Sequence, residues 1–419
     1  MIASLTSASA VAGRTSKRDD SRKRRPLALL LFLVFTACSA NRDGRSDQRL
    51  RDGDEFARAP LARERRGEAK QGEGVVVRRR VKSTGPDYAL SRVIGAVALP
   101  SGGIAVLQAR AERLLLFDSA GRYERGIGRR GAGPGEFDLP TKIGRRGDSL
   151  WVFDRALSRI TVFRTSGELV RTIALPANGV GVLHDNGRVT IHSDREFGAA
   201  AVGRDSLRLQ ELLPSGRVSA ARNPIEYVHR TLAYSVGGRS VVGLQPFDDG
   251  PLVAEAAGGS GFWFVRQEES MGAAQLHIER VDPAWNVIVS REVPFDPLPM
   301  SDAIAREAMN GILAERGASE DPAERRALEH AFYRPPIVPS ATLLVPGVDG
   351  TLAIRRETIY ADSTRWTLFD NDALPAADFN LARTDLLLTR DGNRIWFRST
   401  TPDDEEEIVI ARLERPDVR

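Results

Sequence analysis

The sequence predicts an all-β chain, a six-bladed β-propeller with a helical hairpin inserted between blades four and five, on three observations. First, beyond residue 75 the 419-residue chain lacks long helical periodicity, and short β-branched and aromatic runs alternate with Gly, Asp and Asn turns. Second, the runs recur as units. "LLLFDSAGR" (residues 114–122), "ITVFRTSGE" (160–168), "LQELLPSGR" (209–217), "IERVDPAWN" (278–286) and "WTLFDNDAL" (366–374) each end a strand in a tight turn, and each follows another short strand. Units of four short strands that bury their faces against neighbours are the signature of a propeller. Third, the last unit, "RIWFRS" and "IVIARLER" (394–399 and 408–415), lacks a fourth strand, while "VVVRRRVKS" (75–83) stands before the first unit with nothing to pair with. Closing the ring with that strand completes the last blade and removes the open edges. A β-sandwich is the competing arrangement, but its strands need not repeat as units.

Taken from the N-terminus, Arg22, Lys23, Arg24 and Arg25 precede an apolar run over residues 27–35. The run is too short to span a bilayer as a helix and has the form of a secretory signal. It ends in "FTAC" at Cys38, the only cysteine, so no internal disulfide is available. Small Thr36 and Ala37 before a cysteine resemble the lipobox of bacterial lipoproteins. The resemblance implies a lipoprotein signal peptide over residues 1–37, lipidation of Cys38 and a membrane anchor there; Ser39, where an Asp would retain the protein, looks like the pattern of export to an outer membrane. Residues 38–74 are polar, mixed in charge and poor in large apolar side chains, as expected of a flexible tether. The formal charge of +4 is carried by the leader, and without residues 1–37 the chain is near −1. The basic balance therefore gives no support to a nucleic-acid partner.

The propeller is expected over residues 75–419, with 75–83 as the closing strand and blades at about 90–128, 139–175, 179–222, 251–293, 339–380 and 381–415. Between blades one and two, "GIGRRGAGPGEF" (126–137) contains G-x-G-x-x-G at Gly126, Gly128 and Gly131. A dinucleotide site needs a helix to start at those glycines, and Ala132, Gly133, Pro134 and Gly135 form a poor helix start. The stretch reads instead as a blade crossing in which Phe137 plugs between blades. Gly133, Pro134, Gly135, Phe137, Pro140, Arg159 and Ile160 match the pattern of NHL-repeat propellers, and blade two is similar to these and to the bacterial six-bladed propeller lipoproteins related to them. Ser158 stands where that pattern often has His.

In a propeller, connections between blades and turns between second and third strands emerge on one face. Three long connections, the glycine loop, 223–250 and 294–338, are expected there. The last reads as the helical insertion. Ser301 caps a helix with Ile304, Ala308, Met309, Ile312 and Leu313 on one side, and Asp321 and Pro322 open a second carrying Leu328, Ala331 and Phe332. It is either a lid over the central pocket or a packed ornament or partner-docking surface.

The same face receives the ends of the second strands, where arginine recurs at Arg110, Arg155, Arg195, Arg266, Arg356 (or its neighbour Arg355) and Arg398. One per blade would make a cationic ring suited to carboxylate, sulfate or phosphate. Structural pairing with Asp or carbonyl groups is the competing reading. His192, close to Asp194, is the best-placed histidine; His184, His229, His277 and His330 show no ligand spacing. Trp151, Trp263 and Trp396 occupy comparable second-strand positions and read as inter-blade packing.

These readings describe a monomeric cell-envelope lipoprotein, held by Cys38 on the outer membrane and facing the periplasm or the exterior. Its propeller would bind a protein, peptide or glycan ligand, an anionic one suiting the arginines, with no nucleic-acid partner and no cofactor, calcium and zinc being left open. The alternative, implied by enzymatic six-bladed propellers, is a lactonase-like hydrolase or an amidating-lyase-like enzyme with a metal at the central channel.

Overall fold

The structure is a computed structural model that describes residues 74–414, apart from 83, 86, 110–112, 177–178, 185, 194–201, 221, 257–258, 271–272, 317–320, 357–362, 402 and 404. The signal-peptide and tether readings, and Cys38, lie outside the described residues.

Second strands such as Ile104–Gln108 are buried at every position, so apolar groups project from both faces of the sheet. A sheet of that kind must be covered on both sides. Six antiparallel sheets satisfy each other's need by standing around a common axis. Blade one is Val93–Ala98, Ile104–Gln108, Arg113–Phe117 and Tyr123–Ile127; blade two is Pro140–Arg146, Ser149–Asp154, Arg159–Arg164 and Leu169–Ala174. Blade three begins with Gly179–Leu183, Val189–Ser193 and Val202–Leu212. Blade four is Leu252–Glu255, Phe262–Ser270, Ala273–Val281 and Val287–Pro294; blade five is Leu343–Pro346, Leu352–Arg356, Ser363–Phe369 and Pro375–Ala382. Blade six takes Leu386–Asp391, Arg394–Thr400 and Glu406–Glu414 from the C-terminus and its outermost strand, Gly74–Val81, from the other end of the propeller. That strand runs antiparallel to Glu406–Glu414, with Val75 opposite Leu413 and Val81 opposite Ile408.

The cores lie between blades. Trp396 and Ile408 of blade six pack with Ile104 and Phe117 of blade one, and Phe137 packs with Leu107 of blade one and Leu150 and Phe163 of blade two. Trp151, Trp263, Trp366 and Trp396 are all fully buried at second or third strands. The glycine loop leads into strand Pro140–Arg146 with no helix, and Phe137 is its plug. Gly128 must be glycine: its φ is +81°, and an added Cβ would overlap the Phe137 ring.

Blade three departs from expectation. Its fourth strand, Arg222–Val236, continues past the blade and returns through Arg239–Leu244. Pro224 and the Gly237–Gly238 pair look like loop punctuation, yet both glycines have positive φ and close a two-residue hairpin turn. Leu232, Tyr234 and Val236 alternate with the smaller Thr231, Ala233 and Ser235, which is strand periodicity. The boundary between blades five and six also moves, because Leu381 belongs to the outer strand of blade five.

Two helices follow blade four. α1 (Asp302–Glu315) is capped by Ser301 Oγ, which accepts from Ile304 N at 3.2 Å, and α2 (Pro322–Ala331) by Asp321, whose Oδ1 accepts from Ala323 N at 2.8 Å. Their apolar residues Ala305, Met309, Ile312, Leu313, Leu328 and Phe332 pack on Leu232, Tyr234 and Phe247. The helical hairpin and the extension of blade three therefore share one small core.

Candidate functional site

Strand alternation gives the propeller an upper face, with the inter-blade connections and second-to-third turns, and a lower face with the remaining turns. On the upper face the additions are concentrated over blades three and four. In blade three, pairing of the second strand with the third ends at His192 opposite Leu209, while the third and fourth strands stay paired up to Val202 opposite Arg230. In blade four, the first strand covers the second only to Val265, leaving a ribbon of residues 266–270 paired with 273–277 standing above it.

Two polar locks fix this wall. Asp249 Oδ1 accepts from Arg230 at 2.6 Å and Oδ2 from Tyr333 Oη at 2.8 Å, with the Arg230 guanidinium 3.9 Å above the Tyr333 ring. Glu324 Oε1 accepts from Tyr234 Oη at 3.1 Å and from Arg316 Nε at 2.5 Å. Gln245 adds backbone bonds, donating to Ala331 O at 2.8 Å and accepting from Tyr333 N at 3.0 Å. Burial, with the neighbouring carboxylate, pushes both the Tyr234 and Tyr333 phenols up to about 12. The hairpin is thus bonded to the extension of blade three at both of its helices.

The arginines divide. Arg110 and Arg195 lie outside the described residues, and His192 is placed in the second strand of blade three with its side chain outside the description. Arg398, nearly buried, donates to Val93 O at 3.0 Å and pairs with Glu406 at 3.4 Å. Arg356 donates from Nε to Ser340 O at 2.8 Å, and burial first, then Arg365, lowers its guanidinium to about 10. The corresponding strand ends of blades one and two carry other side chains that do similar work: Gln108 Oε1 accepts from Ser91 N at 2.6 Å, and Asp154 Oδ2 accepts from Asp138 N at 2.8 Å. In blades one, two and five the end of the second strand is therefore a clamp on the loop that feeds the same blade, whereas Arg398 of blade six reaches across to the first strand of blade one. Arg155 opens the next turn of blade two, half-buried. Arg266 differs: it stands on the blade four ribbon opposite His277, about one third exposed, with Glu268 at 3.7 Å and Glu279 at 3.9 Å. Such long contacts leave its guanidinium able to meet another anion.

A second feature lies among the innermost strands. Lys142 stands half-buried on the first strand of blade two. Burial depresses its ammonium below the usual range, and Glu255, at the end of the first strand of blade four, partly restores it. Blade three separates blades two and four around the ring, so the two groups influence each other from non-adjacent blades. His184 is packed edge-on against Phe262 and holds Gly259 O at 3.0 Å and Thr190 Oγ1 at 2.7 Å. Burial lowers its imidazole, an effect that Lys142 and Arg188 add to and the bond to Gly259 opposes. The sequence offered one signal for Lys142: it is one of five lysines in a chain with 60 Lys and Arg together. No group of three or more metal-ligating side chains occurs among the described residues, and none of their helices is long and apolar enough to cross a membrane.

Residues 85–188 match a family profile described as "6-bladed beta-propeller", about a quarter of the chain. No curated protein matches by sequence. Among solved structures, the chain is similar to an exported protein of Bacteroides fragilis (11% identity, covering 82% of this chain and 95% of that one, TM-score 0.42). It is similar too to a member of the DUF4221 family from Bacteroides vulgatus (10% identity, 82% and 99%, TM-score 0.43). A third is a virginiamycin B lyase from Staphylococcus aureus (12% identity, 81% and 99%, TM-score 0.40). By its own sheet order and by the matched profile, the chain is a six-bladed β-propeller.

Proposed function

We propose that this propeller is an extracytoplasmic binding module, carried on a lipid at Cys38, which captures an anionic group of a peptide or glycan on its upper face. The locked wall over blades three and four carries the reading. A surface fixed by the Arg230–Asp249–Tyr333 and Arg316–Glu324–Tyr234 locks meets a ligand without the ordering cost of a mobile lid. Arg266 stands on the adjoining ribbon, and Arg155 is the second cation assigned to the ligand. The "FTAC" stretch supports the anchor. The purified chain should bind dextran sulfate or polyglutamate and not neutral dextran, and Arg155→Ala with Arg266→Ala should weaken that binding at least tenfold. Equal binding by the double variant would remove the proposal.

The amine of Lys142 favours a second reading, a lyase or hydrolase that works in the channel, because a desolvated lysine is a ready base or nucleophile. Calcium or zinc retained at one equivalent through purification would favour it.

A further inference from the structure

The exposed large aliphatic side chains are unevenly distributed. Leu169 and Val170 open the fourth strand of blade two, Leu213 lies in the third-to-fourth turn of blade three, Val287 and Ile288 open the fourth strand of blade four, and Leu374 lies in the matching turn of blade five. Strand alternation puts every one of these positions on the lower outer rim, in four consecutive blades. Three exposed aliphatics lie elsewhere, Val77 in the middle of the closing strand of blade six and Val228 and Val242 on the extension of blade three. Isolated exposed aliphatics need no explanation, but a series at one height on successive blades marks a contact surface.

The start of the described chain lies on the same rim. Gly74 pairs with Glu414, at the lower end of the third strand of blade six, so the segment leading from Cys38 arrives at the lower outer edge. We propose that this rim rests on the phospholipid bilayer, with its aliphatic side chains in the headgroup region and the upper face directed away from the membrane. The segment between Cys38 and Gly74 has a contour length of at most roughly 120 Å. Its lead to the rim is shorter than to any part of the upper face, so tethering raises the local concentration of bilayer chiefly at the rim. The rim carries charges of both signs, with Glu168 paired to Arg164 beside Leu169 and Asp372 exposed near Leu374. Asp118, Asp282 and Asp370 accept backbone N–H bonds of their own turns, while Arg171 and Arg217 are exposed beside Leu169 and Leu213 and can place their heads among phosphates.

The inference rests on the lipid-anchor reading only for delivery, and the two can fail separately. The full chain is prepared as Ile288→Cys and, for the opposite face, Val242→Cys, each carrying an environment-sensitive dye, on vesicles of phosphatidylethanolamine, phosphatidylglycerol and cardiolipin containing a quencher lipid. Mass spectrometry of the same sample reads the adduct on Cys38. Strong quenching at position 288 with at least fivefold less at 242 is expected after subtracting the signal of the parent chain, whose Cys38 takes the dye when it is not lipidated, and that difference supports the rim contact in either case. Equal quenching, or none at 288, overturns it even if the lipid is present. A dye shift at 288 that grows with protein concentration before vesicles are added assigns the rim to a second copy and also overturns it.

Discussion

Arg398 of blade six donates to Val93 O of blade one at 3.0 Å, and Glu406 ties the two together, accepting from Val93 N at 2.7 Å and pairing with Arg398 at 3.4 Å. This is the seam at which the ring closes. Arg398→Ala leaves a half-buried carboxylate and a buried carbonyl short of partners, and is expected to cost about 2 kcal/mol. A denaturant midpoint unchanged from the parent would contradict the structural role of Arg398.

Gly144 pairs across strands with Trp151, and an added Cβ at Gly144 would overlap the indole ring. The Gly144→Ala variant is expected to lose about 1–3 kcal/mol through overpacking. Changes in tryptophan fluorescence and thermal midpoint should appear together; a parent-like melting curve would show that the ring can retreat.

The locks of the wall should fail in alkali. For Tyr234 and Tyr333 the folded-state pKa of about 12 lies above the unfolded value of 10. Their contribution is therefore complete below pH 10 and is lost as the pH rises from 10 through 12. Burial raises the Tyr88 phenol too, so tyrosinate absorbance should show three late-titrating phenols, of which two disappear in the Tyr234→Phe, Tyr333→Phe double variant. Hydrogen exchange in α1 and α2 should accelerate in that variant, with blades five and six unaffected.

Lys142 should titrate below the ordinary lysine range, since burial outweighs the attraction of Glu255. Reductive methylation with a carbon-13 label gives one resonance per lysine in a chain this poor in lysine. The resonance absent from Lys142→Met should move at the lowest pH of the set, and Glu255→Gln should lower it further. A normal titration would remove the second functional reading.

The six blades were legible because a propeller writes its period into the chain: strand, turn and buried aromatic recur, and Phe137 and the tryptophans fall where packing requires them. The extension of blade three was not, because Pro224 and the paired glycines dominate a short window, while the surface that buries Leu232 and Tyr234 comes from helices some 70 to 100 residues later. The strand-end arginines were visible as a pattern, but Gln108 and Asp154, which share their clamping role, differ in residue type and so did not join it. Lys142 and Glu255 act on each other from non-adjacent blades, and no local spacing encodes that pairing.

Hydrogen–deuterium exchange of the whole chain with and without dextran sulfate tests the ligand face most directly. Protection is expected on the blade four ribbon around Arg266, in the turn of Arg155 and along the blade three extension, and it should vanish when both arginines are replaced. Protection confined to the lower turns around Val287 and Leu374, or none at saturating polyanion, would contradict the assignment of the upper face.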